Sequence, residues 1–235
     1  MTVEEVLHEL SLKGSEQTKK TLVKHGAMEP FFGVKIADLK ILQKKIKIDH
    51  ELALQLFKTG NSDAMYFASM ICDVRKMTED DLQCWAELAY WYMLSEFPIA
   101  WTTAESGLGW QMAEKWIKSD KENIATAGWS TYSSLLAITS DQLIDSNLIQ
   151  SLLTKIENEI HNAQNRVRHC MNHFIIAVGT YYLPLKSEAI RIGRKNGKIT
   201  VNMGGTACKV PDAVEYIGKV EKMGRSGKKR TTAFC

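Results

Sequence analysis

Residues 49–74, DHELALQLFKTGNSDAMYFASMICDV, decide the fold. Leu52 and Leu56, then Ala64, Phe67, Ala68 and Ile71, recur at the i, i+3, i+4 spacing of helices with one apolar face. Asp49 stands where an N-cap is wanted, and Gly60 closes the first run before the second begins. The stretch predicts helices at 50–59 and 61–74, joined tightly enough to pack antiparallel. The same pattern extends both ways. Thr78 precedes EDDLQCWAELAYW, Asp120 precedes KENIATAGW, Gly14 and Gly26 end helical runs, and Ile149, Leu152, Leu153, Ile156 and Ile160 mark another apolar face. Further helices are predicted at 2–13, 16–25, 35–47, 79–96, 98–106, 109–118, 121–138, 146–162, 164–182, 185–196 and 211–223. Only ITVNM, 199–203, has strand character, and it is too short to found a sheet. Antiparallel pairs of roughly 35–45 residues match an all-α, HEAT-like helical-repeat solenoid. The predicted organisation is one helical domain, 1–223, and a basic C-terminal tail, 224–235. A compact bundle is the alternative; the solenoid is preferred because no helix is apolar all round, as a central bundle helix would be.

All six tryptophans fall between Trp85 and Trp129: these two, Trp91, Trp101, Trp110 and Trp116. About half are expected in the core and the rest on a concave contact surface, since Trp is usually highly but not fully buried. Charge is also uneven. Residues 185–235 carry 12 Lys+Arg against 4 Asp+Glu, while the chain as a whole is only +3. A basic end on a mildly acidic body suggests a polyanion contact, the alternative being a solvated tail. Five cysteines, odd in number and without a CxxC pair, point to reduced thiols. The opening MTVEEVLHELSLKG is acidic where a secretory signal is basic, and no long apolar run follows. A cytoplasmic, monomeric protein with no membrane contact is the expectation.

Motif chemistry is sparse. His169, Cys170 and His173 lie on one segment, but two ligands a turn apart do not hold a zinc ion, so neither metal nor cofactor is expected. VNMGGTACK lacks the Lys-Ser/Thr ending of a phosphate loop, and neither a Ser-His-Asp order nor a nucleophile elbow occurs. Arg166 and Arg168 are candidate phosphate contacts, as are Lys44 and Lys45 in the run Lys40, Lys44, Lys45, Lys47. Each is otherwise an ordinary solvated helix residue.

Three stretches in order resemble the DNA alkylation repair family, the HEAT-like alkylpurine DNA glycosylases. They are Phe31-Phe32-Gly33-Val34 with the basic helix after it, LQCWAELAYWYMLSE from Leu82 to Glu96, and Lys115-Trp116-Ile117-Lys118-Ser119-Asp120. The resemblance covers residues 30–180 and implies a HEAT-like fold and duplex DNA as partner. It places the family's tryptophan at Tyr92 and its catalytic aspartate at Glu96; a one-residue shift gives Trp91 and Ser95 instead. The family's arginine falls on Thr126, and a second cleft tryptophan falls near His173.

An alkylated purine carries positive charge on a weakened glycosidic bond, so excision needs an ionised carboxylate beside the developing oxocarbenium. Aromatic faces add cation–π attraction. Glu96 is therefore the candidate catalytic carboxylate, with Trp91 and Tyr92 as aromatic partners; Trp101 and Glu105 repeat the spacing as a second pair. Glu for Asp and Thr126 for arginine both predict weak excision or none, with binding at damaged or distorted duplex DNA retained. The rival reading is a HEAT-type scaffold that binds a protein partner.

Overall fold

The structure, a computed structural model, describes residues 1–234. It is a HEAT-like helical solenoid with no strand among the described residues. The helices are α1 (Val3–Lys13), α2 (Glu16–Lys24), α3 (Ile36–Ile46), α4 (His50–Phe57), α5 (Ser62–Ile71), α6 (Glu79–Leu88), α7 (Tyr92–Leu94), α8 (Ala100–Glu105), α9 (Gly109–Trp116), α10 (Glu122–Ile138), α11 (Ser146–Glu159), α12 (Asn165–Tyr181), α13 (Lys186–Asn196) and α14 (Ala213–Lys222). Residues 199–203 form an irregular loop rather than a strand. Arg168 and Asn165 of α12 hold this loop through its own backbone groups, at Thr200 and Asn202.

The α4–α5 pair forms as its sequence predicts, with Asp49 accepting from the Leu52 N–H at 3.1 Å. Thr78 likewise caps α6 in a reciprocal box with Asp81. Asp120 does not cap α10: Lys121 occupies the cap position, and the Asp120 carbonyl accepts from Gln164 instead.

The helix expected over 79–96 breaks at residues 89–91. Tyr90 and Trp91 leave the helical path, and with Tyr92 at the start of α7 they reach the segment after α2. The Tyr90 hydroxyl donates to the Met28 carbonyl, the Trp91 indole N–H donates to the His25 carbonyl, and the Tyr92 hydroxyl meets the His25 ring. Beyond them, α7 and α8 join through a π-helical turn, Ser95–Ile99, so the chain stays helical across Pro98 where a boundary was expected. The wider turn absorbs the N–H that proline lacks.

Two buried clusters fill the solenoid, one from Val6 to Ala127 and one from Trp101 to Ala233. Helix α10 belongs to both, through Ile124 and Ala127 on one side and Ala125, Trp129 and Tyr132 on the other. It and α12 are buried around most of their girth, although neither is apolar all round. Small and hydroxylated residues make that burial possible without an apolar signature. A Cβ at Gly128 would stand 2.8 Å from the Ile117 amide, so α9 and α10 pack there only on glycine.

Tryptophan placement also differs from expectation. Trp85, Trp91, Trp101, Trp116 and Trp129 are buried and Trp110 is half-buried, so the window is core rather than a contact wall.

The segment 224–234, expected as a tail apart from the domain, runs back across the molecule. Gly227 N–H donates to the Thr180 carbonyl, Arg230 N–H to Ala137, and the Lys229 ammonium to Leu136. Glu105 then accepts from the Thr232 hydroxyl and the Ala233 N–H. These groups lie at the carboxyl ends of α12, α10 and α8, where carbonyls lack helical partners and positive charge is favoured. The ends of α8, α10 and α12 therefore share one edge. Cys235 lies outside the described residues, and the four described cysteines are free thiols.

Candidate nucleic-acid interface

The other edge gathers the amino ends of α7, α10 and α12. The π turn places Glu96 at the start of the α7–α8 path with its side chain 4% exposed. Arg166, in the first turn of α12, meets it with two charge-assisted bonds, Nε and Nη2 each 2.7 Å from a carboxylate oxygen. The same guanidinium lies 3.9 Å from the Tyr92 ring centroid. Its backbone N–H donates to Glu122 of α10 at 2.7 Å, which holds the two amino ends together. The Tyr92 hydroxyl is fixed by His25 Nδ1 at 2.8 Å. Burial pushes the Tyr92 hydroxyl pKa upward, so it stays a neutral phenol.

Along α12, Arg166, His169 and His173 follow one stripe, with the two imidazoles 4.4 Å apart. His169 Nδ1 lies 3.2 Å from Arg166 Nη2 and 3.5 Å from Glu96. His173 keeps an exposed ring on a helix otherwise buried from Val167 to Thr180 save at Arg168. Partial desolvation on α12 and the neighbouring His169 push its pKa down.

The ligand atoms of Glu96, His169 and Cys170 lie within 4.8 Å of one another. Glu96 is a partner that sequence spacing could not supply. The positive charge at this carboxylate belongs to Arg166, which engages both of its oxygens. Burial pushes the Cys170 thiol well up, away from the thiolate that a metal requires. The donor set does not fit a metal centre.

Sequence candidates part ways here. Glu96, Tyr92 and Arg166 come together. Trp91 packs beside Tyr92, but its indole N–H is spent on His25 and its ring is buried. Trp101 faces a second cavity of about 300 Å³ with Tyr66 and Phe234, and Glu105 there holds the C-terminal segment, so this pair is not a repeat of the site. Arg168 is not presented to a phosphate: its guanidinium donates to the Thr200 and Ala163 carbonyls. Lys44 and Lys45 stand exposed on α3 and do not line the Arg166 cleft; Lys45 reaches Glu9 at 3.7 Å. Thr126 leaves a buried hydroxyl without a partner, and the guanidinium at the carboxylate comes instead from α12.

The stretch Phe31–Val34 has a structural role. The N–H groups of Phe32, Gly33 and Val34 converge on buried Asp63 at 2.6, 2.8 and 3.2 Å. Gly33 sits at φ +77°, where a Cβ would stand 2.7 Å from the Lys19 amide.

The fold is that of HEAT-like repeat proteins related to the DNA glycosylases, and it holds a buried carboxylate between aromatic and cationic groups. The chain belongs to the DNA alkylation repair family: the family model for the DNA alkylation repair enzyme matches residues 6–217. An uncharacterised protein of Listeria innocua is 32% identical over 225 residues, 93% of this chain and 97% of that one. One from Listeria monocytogenes is 32% identical over 226 residues, with the same coverage. A solved structure, 38% identical with a TM-score of 0.93 over 100% of both chains, is described as a new family of proteins related to the HEAT-like repeat DNA glycosylases with affinity for branched DNA structures. No helix among the described residues is long and apolar enough to cross a membrane.

Proposed function

We propose that this protein binds DNA at distorted or branched sites and excises alkylated bases weakly or not at all. The observation that carries the second half is the Arg166–Glu96 pair. Oxocarbenium stabilisation needs a carboxylate whose charge is available to the sugar. Here both oxygens are bonded to one guanidinium, which neutralises the charge and lies between Glu96 and the open cleft. The binding half is supported by the likeness to a structure described as having affinity for branched DNA. The exposed His173 and the cleft-lining Arg166 supply polar contacts on this side of the molecule.

Two measurements test the reading. Electrophoretic retardation should show binding to a four-way junction and to duplex carrying an abasic site, weakening steeply with added salt. No retardation at low ionic strength would remove the DNA reading and favour a protein-binding scaffold. Release of 7-methylguanine or 3-methyladenine from alkylated duplex should be near background for wild type. Robust release that survives Glu96→Gln would show that another group does the chemistry; robust release abolished by Glu96→Gln would show that the ion pair opens on binding.

A further inference from the structure

Above the Arg166–Tyr92 stack lies a cleft of about 380 Å³ with two walls from opposite ends of the chain. One wall is Val23 to Gly26, at the end of α2; the other is Asn202 to Gly205, in the loop before α14. The walls approach closely: a Cβ on Gly204 would lie 3.2 Å from the Lys24 carbonyl oxygen. At about 380 Å³ the space is the size of a small-ligand pocket.

Its chemistry is one-sided. Lys24, His25 and Arg166 line it together with Tyr92, and no carboxylate does, because Glu96 lies beneath Arg166. Three glycines, Gly26, Gly204 and Gly205, leave backbone exposed along its sides, so a ligand's own backbone can come close. A cationic rim, an aromatic ring backed by a guanidinium, and bare peptide groups suit a phosphate linked to a flat base. We propose that this cleft takes one unpaired nucleotide of a branched DNA, its phosphate toward Lys24 and its base toward Tyr92 and Arg166. The inference rests on the DNA-binding reading above and deepens it. Branch points present unpaired or frayed nucleotides at little cost, whereas intact duplex must first unstack them. The pocket would thus select branches over linear DNA.

Gly205 provides the test. It lines the cleft, its φ is not in the left-handed region, and a Cβ there meets nothing within 4 Å, so Gly205→Trp adds bulk at the cleft wall without a clash at its Cβ. Fluorescence anisotropy would compare a fork with five-nucleotide unpaired arms, a blunt duplex of equal length and a fully paired four-way junction. Wild type should favour the fork over the blunt duplex by about tenfold or more, equivalent to about 1.4 kcal/mol. Gly205→Trp should bring that ratio toward one, and Lys24→Ala should lower it several-fold, with thermal unfolding confirming that both variants are folded. Equal wild-type binding to fork and blunt duplex overturns the pocket while leaving DNA binding intact. So does a ratio that survives a folded Gly205→Trp, or a Lys24→Ala variant that weakens the blunt duplex as much as the fork. Absence of binding to all three DNAs overturns both readings.

Discussion

At the scale of single residues, buried charge sets the strongest constraints. Glu96 is nearly inaccessible and Arg166 is mostly buried at the cleft floor, so each depends on the other for compensation. Removing one partner of such a pair typically costs about 3–5 kcal/mol, because the remaining charge is stranded. Arg166→Met should destabilise the fold by about that amount in urea unfolding, and adding Glu96→Leu should recover much of it. A single variant as stable as wild type would mean that the pair is not energetically closed. Asp63 makes a comparable case with uncharged partners. Asp63→Ala would strand three N–H groups at the turn before α3, two of them in buried residues, each worth about 1–3 kcal/mol when left unpaired. A loss of about 3 kcal/mol or more is expected, with amide exchange accelerated at Phe32 to Val34. A loss under about 1 kcal/mol would refute the carboxylate's anchoring role.

Between elements, α11 and α13 are clamped by Glu157, which binds Arg191 at 2.9 Å and Lys195 at 2.7 Å. Those bonds hold its carboxyl at about 2, below its ordinary 4.5. A depressed carboxylate contributes stability that is present above pH 4.5 and lost as pH falls through the folded value. Glu157→Gln should therefore reduce the slope of stability between about pH 4.5 and 2 and leave it unaltered above pH 6. An unchanged acid limb would show that the Glu157 carboxyl titrates alike in the folded and unfolded chain, so that the clamp adds no stability. The same pairings explain part of the basic C-terminal excess. Lys186, Arg191, Lys195 and Lys229 all meet carboxylates, so charge that read as polyanion contact partly holds helices together.

For the whole molecule, the segment 224–234 ties the carboxyl ends of three alternate helices, α8, α10 and α12, across one edge. Deleting residues 225–235 removes two backbone donors and one ammonium from helix-end carbonyls and uncovers Trp101 beside Phe234. Each hydrogen bond contributes about 1 kcal/mol net, and the lost apolar burial adds to that, so a destabilisation of about 3–5 kcal/mol is expected. Calorimetry on the truncated chain checks it, and an unshifted Tm would mean that the segment merely rests on the surface.

Much of the architecture was readable from the chain because helix period and capping are local. Leu52, Leu56 and Asp49 dictate α4 with no knowledge of what it packs against, and short connections then leave few ways to stack the pairs. The candidate carboxylate, Glu96, was placed by the family resemblance rather than by any local pattern. Its environment was not readable. The partners that define Glu96 stand 70 residues away at Arg166, and those that fix Tyr92 lie 67 residues earlier at His25. No periodicity carries such pairings. The tryptophan window shows the same limit: sequence places six large rings together, but only packing puts five of them inside. What the residues encode locally is where helices start, run and stop. Which side chains share a charge, and which ring faces solvent, follow from burial among elements far apart in the chain, where the cost of an uncompensated charge or an orphaned N–H decides the arrangement.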